Sequence, residues 1–448
     1  MKKGIFIIIT AALLAAVFSA CASTQPATGV STAGDAAAST DTTAPEASGA
    51  QEQVTVRFAL WDYDLYLYDR AMMEAFMERY PHITVDVIST PNIDFDTRIN
   101  VMMAGGEHLD ALYPRSVPLF GALVARGQLA DIAPLIERDG IDLEPYGAAI
   151  PAFMSHGDRI YGLPYRYDRF IMYYNKDIFD DAGIPYPSED MTWEDYRELA
   201  MRLTSGEGID KIYGAFFGPS DFFFNTPGLQ YGLPFDTMDM ERWREGWTAF
   251  YNMMYVDGSA QDWPSLRSIN ADQTHFLNGR AAMTINGSWF MNLIITELRS
   301  GRSDIRWGAQ RVPVSESLSA QGVHGTRASV TPVSMTSNAR EVEATWQLMQ
   351  FIASEEGASI LASHLITPGY FSETVFDVMM EVEGFDPSAR DAMLGSPNAF
   401  PTISGVNEHA GELARILVEE IELLFTQNQD VDEAIRNLEA RRAEVIGN

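Results

Sequence analysis

Aromatic and charged side chains follow the predicted strands of this chain. Trp61 and Asp62 come directly after the first predicted strand, Arg115 follows the third, and Tyr165 and Asp168 lie further along. An aromatic ring can stack on the apolar C–H face of a sugar ring, while carboxylates and guanidinium groups hydrogen-bond hydroxyls. Because small-molecule sites combine apolar walls with a few polar groups, these positions predict a pocket for a sugar-like solute.

A further candidate is the stretch FLNGRAAMTINGSW, residues 276–289, in which a short apolar strand ends at two small residues and a tryptophan. Gly287 and Ser288 carry little bulk, so they leave room for a ligand to approach the backbone. The indole of Trp289 can then lie flat beneath that ligand. We therefore expect Trp289 to be a binding platform.

Catalysis has no comparable signal in the sequence. The chain lacks G-x-S-x-G, H-E-x-x-H, a phosphate-binding loop and a G-x-G-x-x-G pattern, and its 7 histidines are scattered without metal-ligand spacing. We predict no catalytic residue, no metal and no cofactor. A glycosidase needs only two carboxylates, so a secreted carbohydrate-active enzyme stays open as the less favoured alternative.

The charge balance narrows the range of partners. The 448 residues include 62 Asp and Glu against 31 Lys and Arg, which gives a net charge of -31. Nucleic-acid binding needs clustered basic side chains, so no nucleic-acid partner is expected. The acidic excess is typical of a solvated surface, but it keeps a polyamine or another cation open as an alternative solute.

The N-terminus carries an export signal. Lys2 and Lys3 precede the apolar run GIFIIITAALLAAVF, which is too short to remain as a membrane span. The stretch FSAC resembles the lipobox of bacterial lipoproteins, with Phe18 where Leu is usual. We expect residues 1–20 to be a signal peptide, Cys21 to carry a lipid anchor to the membrane, and residues 21–53 to form a flexible tether.

The candidate residues need a scaffold, and the chain from Val54 onward alternates strand and helix patterns. The predicted elements are strands at 54–60, 83–89 and 109–113, and helices at 67–80 and 95–105. Such alternation predicts a parallel sheet covered by helices. Ligands bind at the carboxyl ends of the strands in such sheets, where Trp61 and Arg115 fall.

The rest of the chain continues with mixed elements. Thr192 and Asp195 predict a variant capping box at the start of one helix, and Asn338 is the predicted cap of another. The further predicted strands cover 161–164, 170–174, 304–313 and 328–335, and the further helices cover 240–255, 266–277, 408–425 and 431–445. A chain of this length predicts two domains of ordinary size.

Three stretches resemble the extracellular solute-binding proteins of ABC importers, the family typified by maltose-binding protein. They are YGLPYRYDRFIMYYNKDIF, FLNGRAAMTINGSW and WQLMQFIASEEG, in the order that the family has them. The resemblance implies a periplasmic-binding-protein-like α/β fold, with two lobes joined by a hinge and a ligand cleft between them. It places lobe one at 54–163 plus 311–365 and lobe two at 164–310 plus 366–448.

The same resemblance implies a function. The protein would be a monomeric, lipid-anchored receptor of an ABC transporter, exported to the cell surface or the periplasmic side of the membrane. Its lobes would close on a mono- or oligosaccharide and deliver it to membrane permease subunits, without covalent chemistry.

Site residues are carried over from the family by position. Trp289 resembles the family's aromatic platform, and Asp168 falls where relatives place a carboxylate for sugar hydroxyls. Phe400 resembles a second platform, while Phe222 and Phe224 lie where a loop aromatic is common. The resemblance therefore predicts a clamp, with Trp289 on one side of the cleft and the strand-end residues on the other.

Overall fold

The computed structural model describes residues 52–447, except residues 148, 270, 396–397, 401–405 and 408. The predicted signal peptide, Cys21 and most of the predicted tether lie outside the described residues. Within the described part, no helix combines the length and the apolar character that a membrane crossing requires.

Most strands in the described part of the chain join one sheet. The strands are β1 (Val54–Trp61), β2 (Ile83–Thr90), β3 (Ala111–Leu112), β4 (Ser155–His156), β5 (Arg159–Ile160), β6 (Leu163–Asn175), β7 (Tyr213–Phe216), β8 (Ala281–Gly287), β9 (Trp307–Gln310), β10 (Gly325–Met335) and β11 (Asn398–Phe400). The order in the sheet is β2-β1-β3-β10-β6-β8-β7, with β11 paired to β10 and β9 paired to β6. β4 and β5 form a separate hairpin.

Helices connect these strands. They are α1 (Leu67–Arg79), α2 (Phe95–Ala104), α3 (Val117–Ala125), α4 (Ala133–Asp139), α5 (Lys176–Ala182), α6 (Trp193–Leu203), α7 (Thr226–Leu229), α8 (Arg244–Tyr255), α9 (Trp263–Ser268), α10 (Thr274–Leu277), α11 (Phe290–Arg299), α12 (Glu316–Ser319), α13 (Val342–Ile352), α14 (Glu355–Ser363), α15 (Glu373–Met380), α16 (Pro387–Leu394), α17 (Ala410–Phe425) and α18 (Val431–Ile446). The α/β fold class predicted from the sequence is confirmed.

The first strands confirm the predicted alternation and correct the predicted sheet. β1 pairs in parallel with β2, from Val54 opposite Ile83 to Trp61 opposite Thr90, and it pairs in parallel with β3 on its other side. The prediction of a parallel sheet is wrong beyond β3, because β10 runs antiparallel to β3 and to β6. The carboxyl ends of β1, β2 and β3 nevertheless meet at one edge, as a binding site there requires.

β6 is a single long strand. Its first part, through Arg169, pairs with β10, and its second part, from Phe170 to Tyr174, pairs with β8. The prediction of two strands at 161–164 and 170–174 is wrong, because β10 supplies hydrogen-bond partners to the polar segment between them. One strand therefore runs from the β1–β3 half of the sheet into the β7–β8 half.

The buried apolar side chains form three clusters. The first cluster lies around β1–β3 and draws on residues 56–167 and 328–366. The second draws mainly on residues 170–285 and 410–438, and the third mainly on 276–309 and 358–393. Trp289 is half-buried and packs against all three clusters. The division into two lobes stays a prediction.

Helix caps were predicted with mixed success. Thr192 and Asp195 form the predicted capping box at the start of α6. The cap at Asn338 is wrong, since α13 begins only at Val342 and the Asn338 Oδ1 instead accepts a hydrogen bond from Thr336 Oγ1. The predicted helix over 266–277 is interrupted: α9 ends at Ser268, and a separate short helix begins at Thr274, whose N–H donates to Asp272 Oδ1.

Candidate functional site

Trp61 ends β1 and packs mostly inward. Its side chain is only 8% exposed, and its ring meets Phe95 edge-on at 5.5 Å and Tyr113 edge-on at 6.2 Å. Such edge-to-face contacts stabilise a ring in a core. The structure therefore gives Trp61 a packing role in the first cluster.

Asp62 forms the turn that follows β1. Its backbone has a φ of 51°, in the left-handed region that a residue other than glycine seldom adopts. The Asp62 Oδ1 accepts a hydrogen bond from the Asn92 N–H at 3.0 Å, which ties the turn after β1 to the turn after β2. The side chain is half-buried, so Asp62 shapes the strand-end edge and stays partly accessible.

Arg115 is held in a fixed orientation after β3. Its Nε donates to Asp96 Oδ1 at 3.0 Å, and its Nη1 donates to Asn92 Oδ1 at 3.2 Å. Asp96 also accepts a hydrogen bond from Ser116 Oγ at 2.6 Å. The planar guanidinium is thus positioned by a carboxylate and an amide, which leaves donors for a ligand.

Tyr165 lies in the interior. Its ring stacks on Tyr113 with centroids 4.0 Å apart and planes 4° from parallel, and its hydroxyl donates to Asp69 Oδ1 at 2.6 Å. Burial raises the pKa of Asp69 to about 7, although the Tyr165 hydrogen bond and the Arg166 charge oppose this rise. Because Tyr165 is 1% exposed, it anchors β6 to α1 and has no face open to a solute.

Asp168 lies in a buried hydrogen-bond chain across three segments. Its Oδ2 accepts from Arg166 Nη2 at 2.9 Å, and its Oδ1 accepts from Ser288 Oγ at 3.1 Å. Ser288 Oγ in turn accepts from Thr367 Oγ1 at 2.6 Å. Burial raises the pKa of Asp168, while the Arg166 charge and the Ser288 hydrogen bond lower it. The sequence offered no signal for Thr367, which is distant along the chain.

Trp289 lies at a junction of aromatic rings. Its indole meets Phe170 edge-on at 5.3 Å and lies 6.3 Å from the Phe222 ring. A Cβ added at Gly287 would lie 2.0 Å from the indole Cζ3. The expectation that Gly287 leaves room for a ligand is therefore corrected: the indole itself fills this room, and glycine is required for that close approach.

The two phenylalanines predicted from the loop differ in burial. Phe222 is half-buried and stacks on Phe223 with centroids 4.1 Å apart. Phe224 is fully buried in the second cluster, where its ring lies 4.2 Å from that of Phe425. Phe222 is accessible to a solute, whereas the structure gives Phe224 a packing role.

Phe400 lies beside the start of β10. It ends β11, opposite Arg327 of β10, and its ring approaches the loop at Gly232, where an added Cβ would lie 3.1 Å from the ring. Phe400 is half-buried. It therefore borders the first residues of β10, and it has no ring contact with Trp289 among the described residues.

One cavity brings two of the predicted site residues, Arg115 and Phe222, together. It encloses about 300 Å³ and is lined by Arg115, Ser116, Val117, Pro118, Phe222, Asn225, Arg327, Ala328, Ser329, Val330 and Ala414. The Arg327 guanidinium lies 4.6 Å from the Phe170 ring, and Ser329 pairs with Asp168 across the β10–β6 ladder. Of the residues of the predicted clamp, the cavity lining therefore contains Arg115, whereas Trp289 and Asp168 do not line it. Arg327 and Ser329 were not predicted, because their place depends on the register of β10.

The chain matches the family model of the bacterial extracellular solute-binding proteins over residues 71–371. Curated relatives include putative binding proteins of Brucella abortus and Brucella suis, 24% identical over 279 residues. That match covers 59% of this chain and only 64% of the length of those relatives.

Solved structures share the fold. A sugar transporter protein from Rhizobium etli in an open conformation is 28% identical with a TM-score of 0.76, covering 87% of this chain and 98% of that one. An ABC substrate-binding protein from Listeria monocytogenes, solved with cycloalternan, is 20% identical with a TM-score of 0.75, covering 88% of this chain and 100% of that one. The sugar-binding protein MalE from Xanthomonas citri is 18% identical with a TM-score of 0.69, covering 88% of this chain and 97% of that one.

Proposed function

This chain belongs to the bacterial extracellular solute-binding proteins, and we propose that it binds a mono- or oligosaccharide in the cavity beside Arg115 and Phe222. The protein would then deliver the sugar to the permease subunits of an ABC transporter. The Rhizobium etli relative is described as a sugar transporter protein, which supports a sugar as the solute.

The cavity lining supports this choice of ligand. Arg115, held by Asp96 and Asn92, faces a space that Phe222 also lines. A positioned guanidinium can donate to two hydroxyls of one sugar ring, and the aromatic face can cover the apolar C–H face of the same ring. A fixed guanidinium and an aromatic ring that line the same cavity are the observation that carries the proposal.

A cationic solute fits this lining less well than a sugar. The charged side chains that line the cavity among the described residues are those of Arg115 and Arg327. A polyamine would meet like charge there, and repulsion between charges a few ångströms apart costs more in a pocket than in water. The net acidity of the whole chain therefore does not extend to this lining.

Capture would proceed by lobe closure. We place lobe one at 54–163 plus 311–365 and lobe two at 164–310 plus 366–448. β6 and β10 run between the two parts of the sheet, so bending within these strands would let the lobes approach. A sugar that contacts Arg115 on one side and Phe222 on the other favours the closed arrangement by its differential contacts.

The protein would be anchored to the membrane and would release the sugar unchanged. The protein acts as a monomer, tethered by a lipid on Cys21, and it releases the sugar unchanged. Recognition through hydrogen bonds from Arg115 to two adjacent sugar hydroxyls requires no covalent step. Mass spectrometry of the membrane fraction tests the lipid, and an unlipidated Cys21 would contradict this part.

Calorimetric titration tests the sugar proposal. The wild-type protein is titrated with a panel of mono- and oligosaccharides and with spermidine, and heat is expected for a carbohydrate alone. Arg115→Met should weaken that binding by about tenfold or more, since hydrogen bonds to a charged group contribute roughly 1.5–3 kcal/mol. Arg302→Met is the matched control, because Arg302 pairs with Glu297 and is 60% exposed. Binding of spermidine in place of any carbohydrate would contradict the proposal.

A further inference from the structure

The lining of the cavity beside Arg115 is positively charged, although the chain is strongly acidic. The net charge of the whole protein is -31. Among the described residues, however, the cavity lining includes Arg115 and Arg327 and neither an aspartate nor a glutamate. A site whose charge is opposite to that of its surroundings selects ligands of complementary charge. The lining therefore favours a negatively charged group on the solute.

The charge of Arg115 is offset by a neighbouring carboxylate. Asp96 Oδ1 lies 3.0 Å from Arg115 Nε and forms an ion pair with it. The guanidinium has five N–H donors, and two of them are used by Asp96 and Asn92. Arg115 is therefore suited to neutral hydroxyl groups, which need donors and no net charge.

A carbonyl group and an aromatic ring orient Arg327. Its Nη1 donates to the Phe222 carbonyl oxygen at 3.1 Å, and its guanidinium carbon lies 4.6 Å from the centroid of the Phe170 ring. Contacts of these two kinds hold a guanidinium in place without cancelling its charge. Arg327 is half-buried, and an opposite charge interacts more strongly there than in bulk water. Its position therefore suits an anionic group of the ligand.

The start of α3 adds to the positive potential of the same cavity. Ser116 is the N-cap of α3, Val117 and Pro118 are its first two residues, and all three line the cavity. The first turn of α3 contains no acidic residue. Because the N-terminus of a helix carries a partial positive charge, α3 and Arg327 both stabilise negative charge in this space.

We propose that the solute is an acidic saccharide whose carboxylate binds to Arg327 while its hydroxyl groups bind to Arg115. This inference rests on the proposed function and narrows its substrate class from sugars in general to uronic acids and saccharides that contain them. A carboxylate is planar and can accept two parallel hydrogen bonds from one guanidinium. Its single negative charge matches the single charge of Arg327, since Asp96 offsets that of Arg115.

Matched pairs of sugars test the proposed charge. Each hexose-containing sugar of the calorimetric panel is titrated beside the uronic acid in which a carboxylate replaces its CH₂OH group, and beside the corresponding sugar phosphate. At least one uronate should bind the wild type roughly tenfold or more tightly than its neutral partner, because hydrogen bonds to charged groups are the stronger ones. The sugar phosphates should bind less tightly than that uronate, because their second negative charge has no counterpart in the lining.

Substitutions of Arg327 test its role in this preference. Arg327→Gln removes the charge, so it should weaken binding of the uronate by roughly tenfold and binding of the neutral partner by less than about threefold. Arg327→Lys keeps the charge and should keep the preference for the uronate. Arg267→Gln is the matched control, since the Arg267 side chain is 55% exposed and does not line the cavity. Thermal unfolding checks that each variant is folded.

The outcomes separate this inference from the proposed function. Neutral sugars that bind the wild type as tightly as their uronates, or a folded Arg327→Gln protein that keeps the full preference, would overturn the acidic saccharide alone. A sugar phosphate that binds more tightly than every uronate would overturn the carboxylate. The comparison of paired sugars on the wild type needs no variant, so it decides the question even if Arg327→Gln fails to fold. Absence of binding to any carbohydrate, neutral or acidic, would overturn the proposed function itself.

Discussion

The substitution Gly287→Ala tests the prediction that the Trp289 indole sets the affinity for the solute. The indole does not line the cavity beside Arg115, but it lies 6.3 Å from the ring of Phe222, which does. A Cβ at residue 287 would lie 2.0 Å from the indole Cζ3 and 2.2 Å from Cη2. Favourable carbon–carbon contacts begin near roughly 3.5 Å, so the ring must retreat by about 1.5 Å. Gly287 is not among the residues with positive φ, so alanine adds bulk without backbone strain.

The size of the effect follows from what the displaced ring loses. An aromatic contact contributes roughly 0.5–1.5 kcal/mol beyond its buried area, and the buried area adds about 25 cal/mol per Å². We expect a loss of about 2 kcal/mol of binding free energy, which corresponds to a roughly 30-fold higher Kd. Moving the ring also costs stability, because overpacking destabilises a packed site by about 1–3 kcal/mol.

Calorimetric titration with the sugar that binds the wild type gives the Kd of each variant, and thermal unfolding checks that each is folded. Gly287→Ala and Trp289→Ala should both weaken binding, and the double variant should match Trp289→Ala, since the added methyl group no longer meets an indole. Gly411→Ala is the control, because an added Cβ there meets no atom within 4 Å. A folded Gly287→Ala protein with wild-type affinity, or strictly additive losses in the double variant, would refute the reasoning.

Three further predictions concern buried groups. Burial raises the pKa of Asp69 to about 7, so between roughly pH 4 and 7 the folded state holds a proton that the unfolded state has lost. The free energy of unfolding should therefore fall by about 3 kcal/mol as the pH rises across this window. In urea titrations Asp69→Asn should lack this part of the fall, and identical pH profiles of the variant and the wild type would contradict the prediction. Arg166→Met leaves the Asp168 carboxylate buried without its cation, so it should lower the free energy of unfolding by about 3–5 kcal/mol in the same urea titrations. A loss below about 1 kcal/mol would contradict a buried ion pair between these residues. Phe224→Ala should lower the free energy of unfolding by about 3–5 kcal/mol, while calorimetry should find an unchanged sugar affinity in the folded protein. A loss of sugar binding without a loss of stability would show that Phe224 contacts the ligand.

The local hydrophobic patterns of the sequence were enough to predict the elements of the first half of the sheet. The alternation of apolar residues placed β1, α1, β2 and α2 within one residue of their bounds, because each element buries one face at its own period. The continuity of β6 was not predictable in this way. Its polar middle residues are held in a strand by β10, which lies more than a hundred residues further along the chain.

The site was predictable by residue type and less so by role. Arg115, Phe222 and Trp289 were found from strand ends and family resemblance, and each is partly accessible in the structure. Phe224 could not be separated from Phe222, since only tertiary packing buries one ring completely and leaves the other at a cavity. The space at Gly287 was assigned to a ligand because a sequence does not show which way the following indole folds.

A crystal structure of the wild-type protein with its bound carbohydrate tests the central claim most directly. The account predicts a sugar ring in the cavity lined by Arg115 and Phe222, with its hydroxyls on the Arg115 guanidinium. Sugar bound only outside this cavity, or a cavity filled by a cationic solute purified with the protein, would contradict it.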